Sequence, residues 1–198
     1  MKGTIEFYPY CYLLIAAHNA LEAAKLVERE GERGRNYHYM TAVVFSAFAV
    51  EAVVNHIGQD RIPDWDSNER NIRGLEARVK AVSNGNTPDF TTAPFKTVKE
   101  AVAIRHNLAH GKTWVGDQLY FDSGEGMHEQ EFPNWLESQL NETRAVEVHS
   151  DAEKVIQTLL VWSGYLAYDL YTMGRGQGSE VTDPNAQPRP TVWKIKNS

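Results

Sequence analysis

Apolar residues in the first half of the chain recur at alternating three- and four-residue steps, the spacing that lines one face of a helix. From Pro9 to Glu30 these steps run through Leu13, Ala17, Ala20, Ala24 and Val27, predicting a first helix with proline in its first turn and a narrow packing seam. The segment EGERGRN then breaks the pattern. A second helix is predicted from about His38 to Ile57, stopping at Gly58. Its run TAVVFSAFAVEAVVNHI is the most apolar in the chain, but it carries Glu51 and is short for a membrane span. It reads as a central core helix, and no membrane partner is expected.

RIPDWDSN reads as a loop, and Asp66 with Glu69 has the spacing of a capping box. It predicts a third helix on Ile72, Leu75, Val79 and Val82, closed by the turn NGN. A fourth helix starts near Pro94 and stops at Gly111. Beyond it the periodicity changes. TWV, GD and QLYF predict a short hairpin, AVEVH near Ala145 an added strand, and PNWLESQL a short helix. Ser150 with Glu153 predicts the start of a last long helix on Val155, Leu159, Trp162, Leu166, Leu170 and Met173. The expected fold is therefore all-α: an antiparallel helical bundle with a small irregular or β insertion between the fourth helix and the last long one. Residues 1–173 form one domain that includes an acidic insertion at 113–149, and 174–198 read as a tail by composition.

Composition adds bounds. The 198 residues, 42% hydrophobic and 23% charged, suit one globular domain with a real core. The single cysteine, Cys11, excludes an internal disulfide framework and fits a reducing compartment, and it reads as a small buried hydrophobe. No basic region followed by an apolar core opens the chain, so no signal peptide is expected and the location reads as cytoplasmic. A net charge of −6 gives no global field for nucleic acid. The charge is unevenly spread, however. Val115–Glu153 carries ten acids and one base, whereas Lys96–Lys112 carries four bases against Glu100. An anionic ligand would go to the second segment.

That basic segment contains AVAIRHNLAHGKTW. On a helix, Phe95, Val98, Ala101, Val102, Ile104, Leu108 and Ala109 form one broad apolar face, and Arg105 falls near its middle. His106 and His110 lie one turn apart along its edge. A guanidinium in an apolar stripe needs a partner, a ligand or a subunit interface. Two readings of Arg105 stand side by side: a structural ion pair with Glu51, the lone acid of the apolar second helix, or a phosphate ligand. His110 is either a cap for the carbonyl end of its helix or a proton carrier. His106 and His110 also have the spacing of a metal pair, but no HExxH pattern and no third ligand stands out, so no metal or cofactor is expected. Asn107 suits phosphate or a backbone group, and Asn55 and His56 suit either the site or a helix cap. Trp162, Tyr165, Tyr168 and Tyr171 suit core packing better than base stacking.

The R-x4-H element RHNLAH, with a polar residue after the arginine and AHG at its end, resembles the signature of HEPN domains, the higher-eukaryote and prokaryote nucleotide-binding domains. The helix FSAFAVEAVVNHI, with a glutamate and an asparagine one turn apart, resembles the family's apolar helix, and the order of elements also matches. The resemblance spans roughly Tyr8 to Lys112 and, more loosely, the helix after Ser150. It implies a metal-independent endoribonuclease of toxin or phage-defence type, with its active site at a homodimer interface. Other members are implied to be inactive nucleotide- or RNA-binding or dimerisation modules. Position by position, Arg105 and His110 match the two motif residues, and His106 matches the polar residue between them. Glu51, Asn55 and Asn107 are the supporting positions. The implied partners are a second copy of the chain, RNA as substrate or nucleotide ligand, and an antitoxin protein. Lys112 stands where a common toxin subgroup has tyrosine, which counts against that subgroup and its characteristic antitoxin.

The residue chemistry agrees with the first of these. Cutting RNA without metal needs a base for the 2′-hydroxyl, an acid for the leaving oxygen and positive charge for the phosphorane. Histidine supplies either proton transfer, and arginine supplies the charge.

Overall fold

The computed structural model describes residues 8–30, 34–111, 120–122, 127–129, 136 and 138–165. Among the described residues the chain forms α1 (Pro9–Glu30), α2 (Arg35–Arg61), α3 (Trp65–Asn68), α4 (Leu75–Val82), α5 (Phe95–His110) and α6 (Glu142–Trp162). Two short strands, β1 (Tyr120–Asp122) and β2 (Met127–Glu129), pair antiparallel with Phe121 opposite His128. The architecture is a helical bundle.

The middle of the bundle is α2, which packs against α1, α4, α5 and α6. Its length and apolar composition would suffice to cross a bilayer, yet here most of that surface is covered by the other helices. Val43, Val50, Val53 and Ile57 are fully enclosed, each worth about 1.5–3 kcal/mol relative to exposure. Small residues bring the backbones of α1 and α2 close: Ala17 and Ala24 on one helix, Ala42 and Ala49 on the other, are all solvent-free. One core cluster joins Tyr10, Leu14, Val54, Trp65, Val79, Phe95, Val98 and Ile156. A second joins Leu21, Tyr39, Ala47, Ala101, Ile104, Leu140 and Val148. On α1 the middle of the predicted seam, Ala17, Ala20 and Ala24, is buried, while its ends, Leu13 and Val27, are only half-buried; Tyr10, Cys11, Leu14 and Leu21 complete the buried stripe.

Several boundaries differ from expectation. The second helix starts three residues earlier, after Gly34 at φ +102°, and continues through Gly58 to Arg61. Gly58 is no stop signal. A Cβ there would sit 2.3 Å from the Trp65 ring, so the glycine exists to let that indole close over the helix. The predicted third helix is three pieces, α3, a 3-10 turn at Glu69–Asn71 and α4, because Gly74 at φ +81° interrupts it. The Asp66/Glu69 capping box does not form, and Asp66 instead accepts a hydrogen bond from Gln59 at 2.9 Å.

The largest correction concerns α6. AVEVH is helical, not a strand, and Ser150 lies inside the helix rather than at its start. Asn141 is the cap, accepting from the Arg144 backbone N–H at 2.9 Å. Ala145, Val148, Ala152, Val155, Ile156 and Leu159 then face the core at helical spacing, so the helix begins within the range expected for the acidic insertion. It ends at Trp162, not near Met173. Gly164 at φ +80° reverses the chain, and the Tyr165 N–H bonds back to the Leu160 carbonyl at 2.9 Å. Hydrogen bonds with the end of α4 reinforce this stop: Asn84 donates to the Trp162 carbonyl at 3.1 Å, and Ser163 donates to the Val82 carbonyl at 3.2 Å. The predicted hairpin appears further along, as YFD paired with MHE. TWV, half of PNWLESQL, and Leu166, Leu170 and Met173 lie outside the described residues.

Candidate functional site

α5 enters the core at Phe95 and leaves it before its end. Phe95, Val98, Ala101 and Ile104 are buried, whereas His106, Asn107, Leu108, Ala109, His110 and Gly111 are all exposed. The apolar face predicted to run through Leu108 and Ala109 is therefore interrupted, because no other described element covers the last turn. Arg105 does not sit in the middle of a buried stripe. It sits where the stripe emerges from the bundle.

There Arg105 forms an ion pair, its Nη2 against the Glu51 Oε2, with the two side chains 16% and 21% exposed. Glu51 reaches it because α2 packs beside α5, and the next turn of α2 toward the amino end presents Phe48. The Arg105 guanidinium carbon lies 5.2 Å from the Phe48 ring centroid, a cation–π arrangement. Two neighbours on α2 thus fix the guanidinium plane. Its Nε is enclosed and has no hydrogen-bond partner among the described residues, so these do not saturate the fork.

His106 and His110 lie side by side, ring centroids 4.8 Å apart and planes tilted by 50°, as their one-turn spacing dictates. His110 caps no carbonyl among the described residues. Gly111 follows at an ordinary φ of −63°, and a Cβ there would strike the Asn107 carbonyl oxygen at 2.2 Å, which is why glycine ends the motif. Arg105 and His110 stand five residues apart, so their side chains leave the helix about 140° from one another. One chain alone does not aim both at a single atom.

The other predicted positions divide. Asn107 lines the same cleft as Arg105, His106 and Glu51. Asn55 does not line it, and its Oδ1 is buried with no hydrogen-bond partner among the described residues. Neither Asn55 nor His56 caps a helix, since α2 continues for more than a turn beyond them. His56 lies elsewhere altogether, buried with Tyr10 stacked at 5.8 Å and Tyr8 and Tyr165 at 6.2 and 5.4 Å. Burial pushes its imidazole down to about 4, with Asp60 opposing and Arg61 adding to the shift. The Tyr165 hydroxyl donates to Asp60 at 2.5 Å, and burial pushes its pKa up to about 12. Trp162 stacks on Phe95 at 5.8 Å. Both are packing residues, while Tyr168 and Tyr171 lie outside the described residues. Cys11 is fully buried.

Phe48 was not singled out from sequence. Its only signal is its place one turn before Glu51. A second polar cluster also escaped notice: Ser46 and the His149 Nδ1 lie 3.3 Å apart inside the core, with Glu153 3.9 Å from the other ring nitrogen. Burial lowers the His149 pKa, Glu153 opposes the shift and His18 adds to it. Among the described residues no three His, Cys, Asp or Glu side chains converge to hold a metal ion. The chain matches no protein-family model, no curated protein and no solved structure.

Proposed function

We propose that the chain is a HEPN-type, metal-independent endoribonuclease whose active site forms between two copies. One observation carries this reading: Arg105, held by Glu51 and Phe48, stands at the foot of an exposed helix end that presents His106 and His110. Two such ends meeting about a two-fold axis bring two arginines and two histidines to one phosphate. His110 of one protomer then takes the 2′-hydroxyl proton, and that oxygen attacks phosphorus in line. The partner's His110 gives a proton to the departing 5′ oxygen, leaving a 2′,3′-cyclic phosphate and a 5′-hydroxyl. Arg105 offsets the charge that gathers on the phosphorane. Glu51 is a positioning residue for Arg105, and Asn107 and His106 flank the phosphate.

The apolar stripe on the outer side of α2 supports the shared site. Val44, Phe45 and Ala52 are half-buried and Phe48 is 38% exposed, while Leu108 on α5 is 36% exposed. The substrate class is single-stranded or looped RNA, whose unstacked sugar admits in-line geometry. The resemblance, and no individual residue, carries the toxin or phage-defence setting and an antitoxin partner, whereas the cytoplasmic location rests on the single cysteine and the N-terminal composition. Purified protein incubated with labelled RNA in excess chelator tests the proposal. Cleavage is expected with the wild type and lost in Arg105→Ala and His110→Ala. Cleavage that survives either change, or that chelator abolishes, overturns it.

The Glu51–Arg105 pair favours one second reading, because an arginine already neutralised inside its own fold also suits a module that has lost catalysis. Such a module binds nucleotide or RNA, or only dimerises. A melting midpoint raised by RNA, without cleavage, selects it.

A further inference from the structure

Beside the motif, a cleft of about 820 Å³ opens between α2, the amino end of α4 and the outer face of α5. Its volume falls in the range of small-ligand sites. Four cations line it, Arg73, Arg78, Lys99 and Arg105, against the two acids Glu51 and Glu76, in a protein whose net charge is −6. The local excess is thus opposite in sign to the whole molecule, which draws an anion to this wall.

The cations are not equivalent. Arg78 is held by Glu69 at 2.9 Å, and Arg105 by Glu51. Lys99 pairs with Glu76, but both side chains are well exposed, at 52% and 37%, so an incoming phosphate exchanges for the carboxylate at little cost. Arg73 is exposed and has no ion-pair partner among the described residues. Gly74 beside it has φ +81°, and a Cβ there would meet nothing within 4 Å, so this wall is open. Val54, Leu75 and Val102 give the cleft an apolar floor, and Asn107 and His106 connect it to the motif. A charged rim, an apolar floor and an amide at the end facing the motif suit a nucleotide: phosphate on the rim, base or sugar on the floor. An acidic peptide needs the rim alone.

We propose that this cleft binds the nucleotide next to the reacting phosphate in single-stranded RNA, with Arg73 and Lys99 as its phosphate ligands. The assignment rests on reading Arg105 as the ligand of the reacting phosphate, but not on catalysis. The test measures binding of a labelled single-stranded hexaribonucleotide to full-length protein carrying His110→Ala, across a range of salt. Adding Arg73→Ala and Lys99→Ala together weakens binding at least about tenfold and lowers the salt slope by about 1.4, since each lost single-strand phosphate contact removes about 0.7. Both side chains are exposed, so neither change threatens folding. Unchanged affinity and slope overturn the proposal, and so does equal binding of a hexaglutamate peptide. Wild-type cleavage that Arg73→Ala leaves untouched removes this subsite and spares the nuclease. Arg73-dependent RNA binding without cleavage does the reverse.

Discussion

Glu51 on α2 and Arg105 on α5 form an ion pair that bridges the two helices at the point where α5 leaves the core. The position matters as much as the contact. Deeper in the bundle the pair would be dry and its desolvation costly, and further out it would be screened by water. At this depth the acid orients the guanidinium while leaving its Nε without a hydrogen-bond partner among the described residues.

Removing either partner of the pair strands the other in a mostly enclosed position. Glu51→Ala or Arg105→Ala therefore lowers unfolding stability by about 1–3 kcal/mol. The double variant loses less than the sum, with a coupling of about 1–2 kcal/mol. Urea unfolding of the four proteins checks this, and strict additivity would refute the pairing as an energetic link.

The exposed stripe on α2 makes a separate prediction about assembly. Phe48→Glu places a carboxylate in the apolar patch, so light scattering should show the proposed dimer replaced by a monomer and the proposed RNA cleavage lost with it. A wild type that is monomeric where it cuts RNA would remove the shared site.

His56 sets an acid limit to stability. Its imidazole titrates near 4 when folded against an ordinary value of 6.5, so the unfolded chain binds more protons between those values. The contribution is full above pH 6.5 and is lost as pH falls toward 4, by at most about 3 kcal/mol. His56→Phe keeps an aromatic ring among Tyr8, Tyr10 and Tyr165 and removes the titrating group. Stability measured against pH should fall less steeply in this window for the variant, and identical slopes would exclude His56 as the source.

Gly58→Ala separates local preference from packing. Alanine is the better helix former by about 1 kcal/mol. Here its Cβ meets the Trp65 ring at 2.3 Å, so a net loss of about 1–3 kcal/mol is expected in thermal or urea unfolding. A stabilised variant would show that Trp65 moves aside freely.

What could be read from the chain depended on how local the cause was. α1 and the start of α5 were legible because their apolar spacing and a proline at or before the first turn act within one helix. The Glu51–Arg105 pair stood open as one of two readings because an acid alone in an apolar run needs a cation somewhere. The opposite held for α6. The alternation in AVEVH matched a strand over five residues, and only the contacts of Ala145 and Val148 with the second core cluster select the helix. Its end was equally hidden, since Asn84 and Ser163 close it through bonds spanning about eighty residues of sequence.

The same division holds for the site. By itself the sequence determined which groups are available, an arginine and two histidines at helical spacing beside an apolar helix with one acid, because composition and period are properties of a single segment. Tertiary structure alone decided that Phe48 and Glu51 hold the guanidinium, that His56 faces tyrosines instead, and that Arg73 and Lys99 share a cleft with Arg105. Those outcomes follow from which helix faces meet. That choice is made by the burial of the whole apolar surface at once, and no local window of sequence contains it.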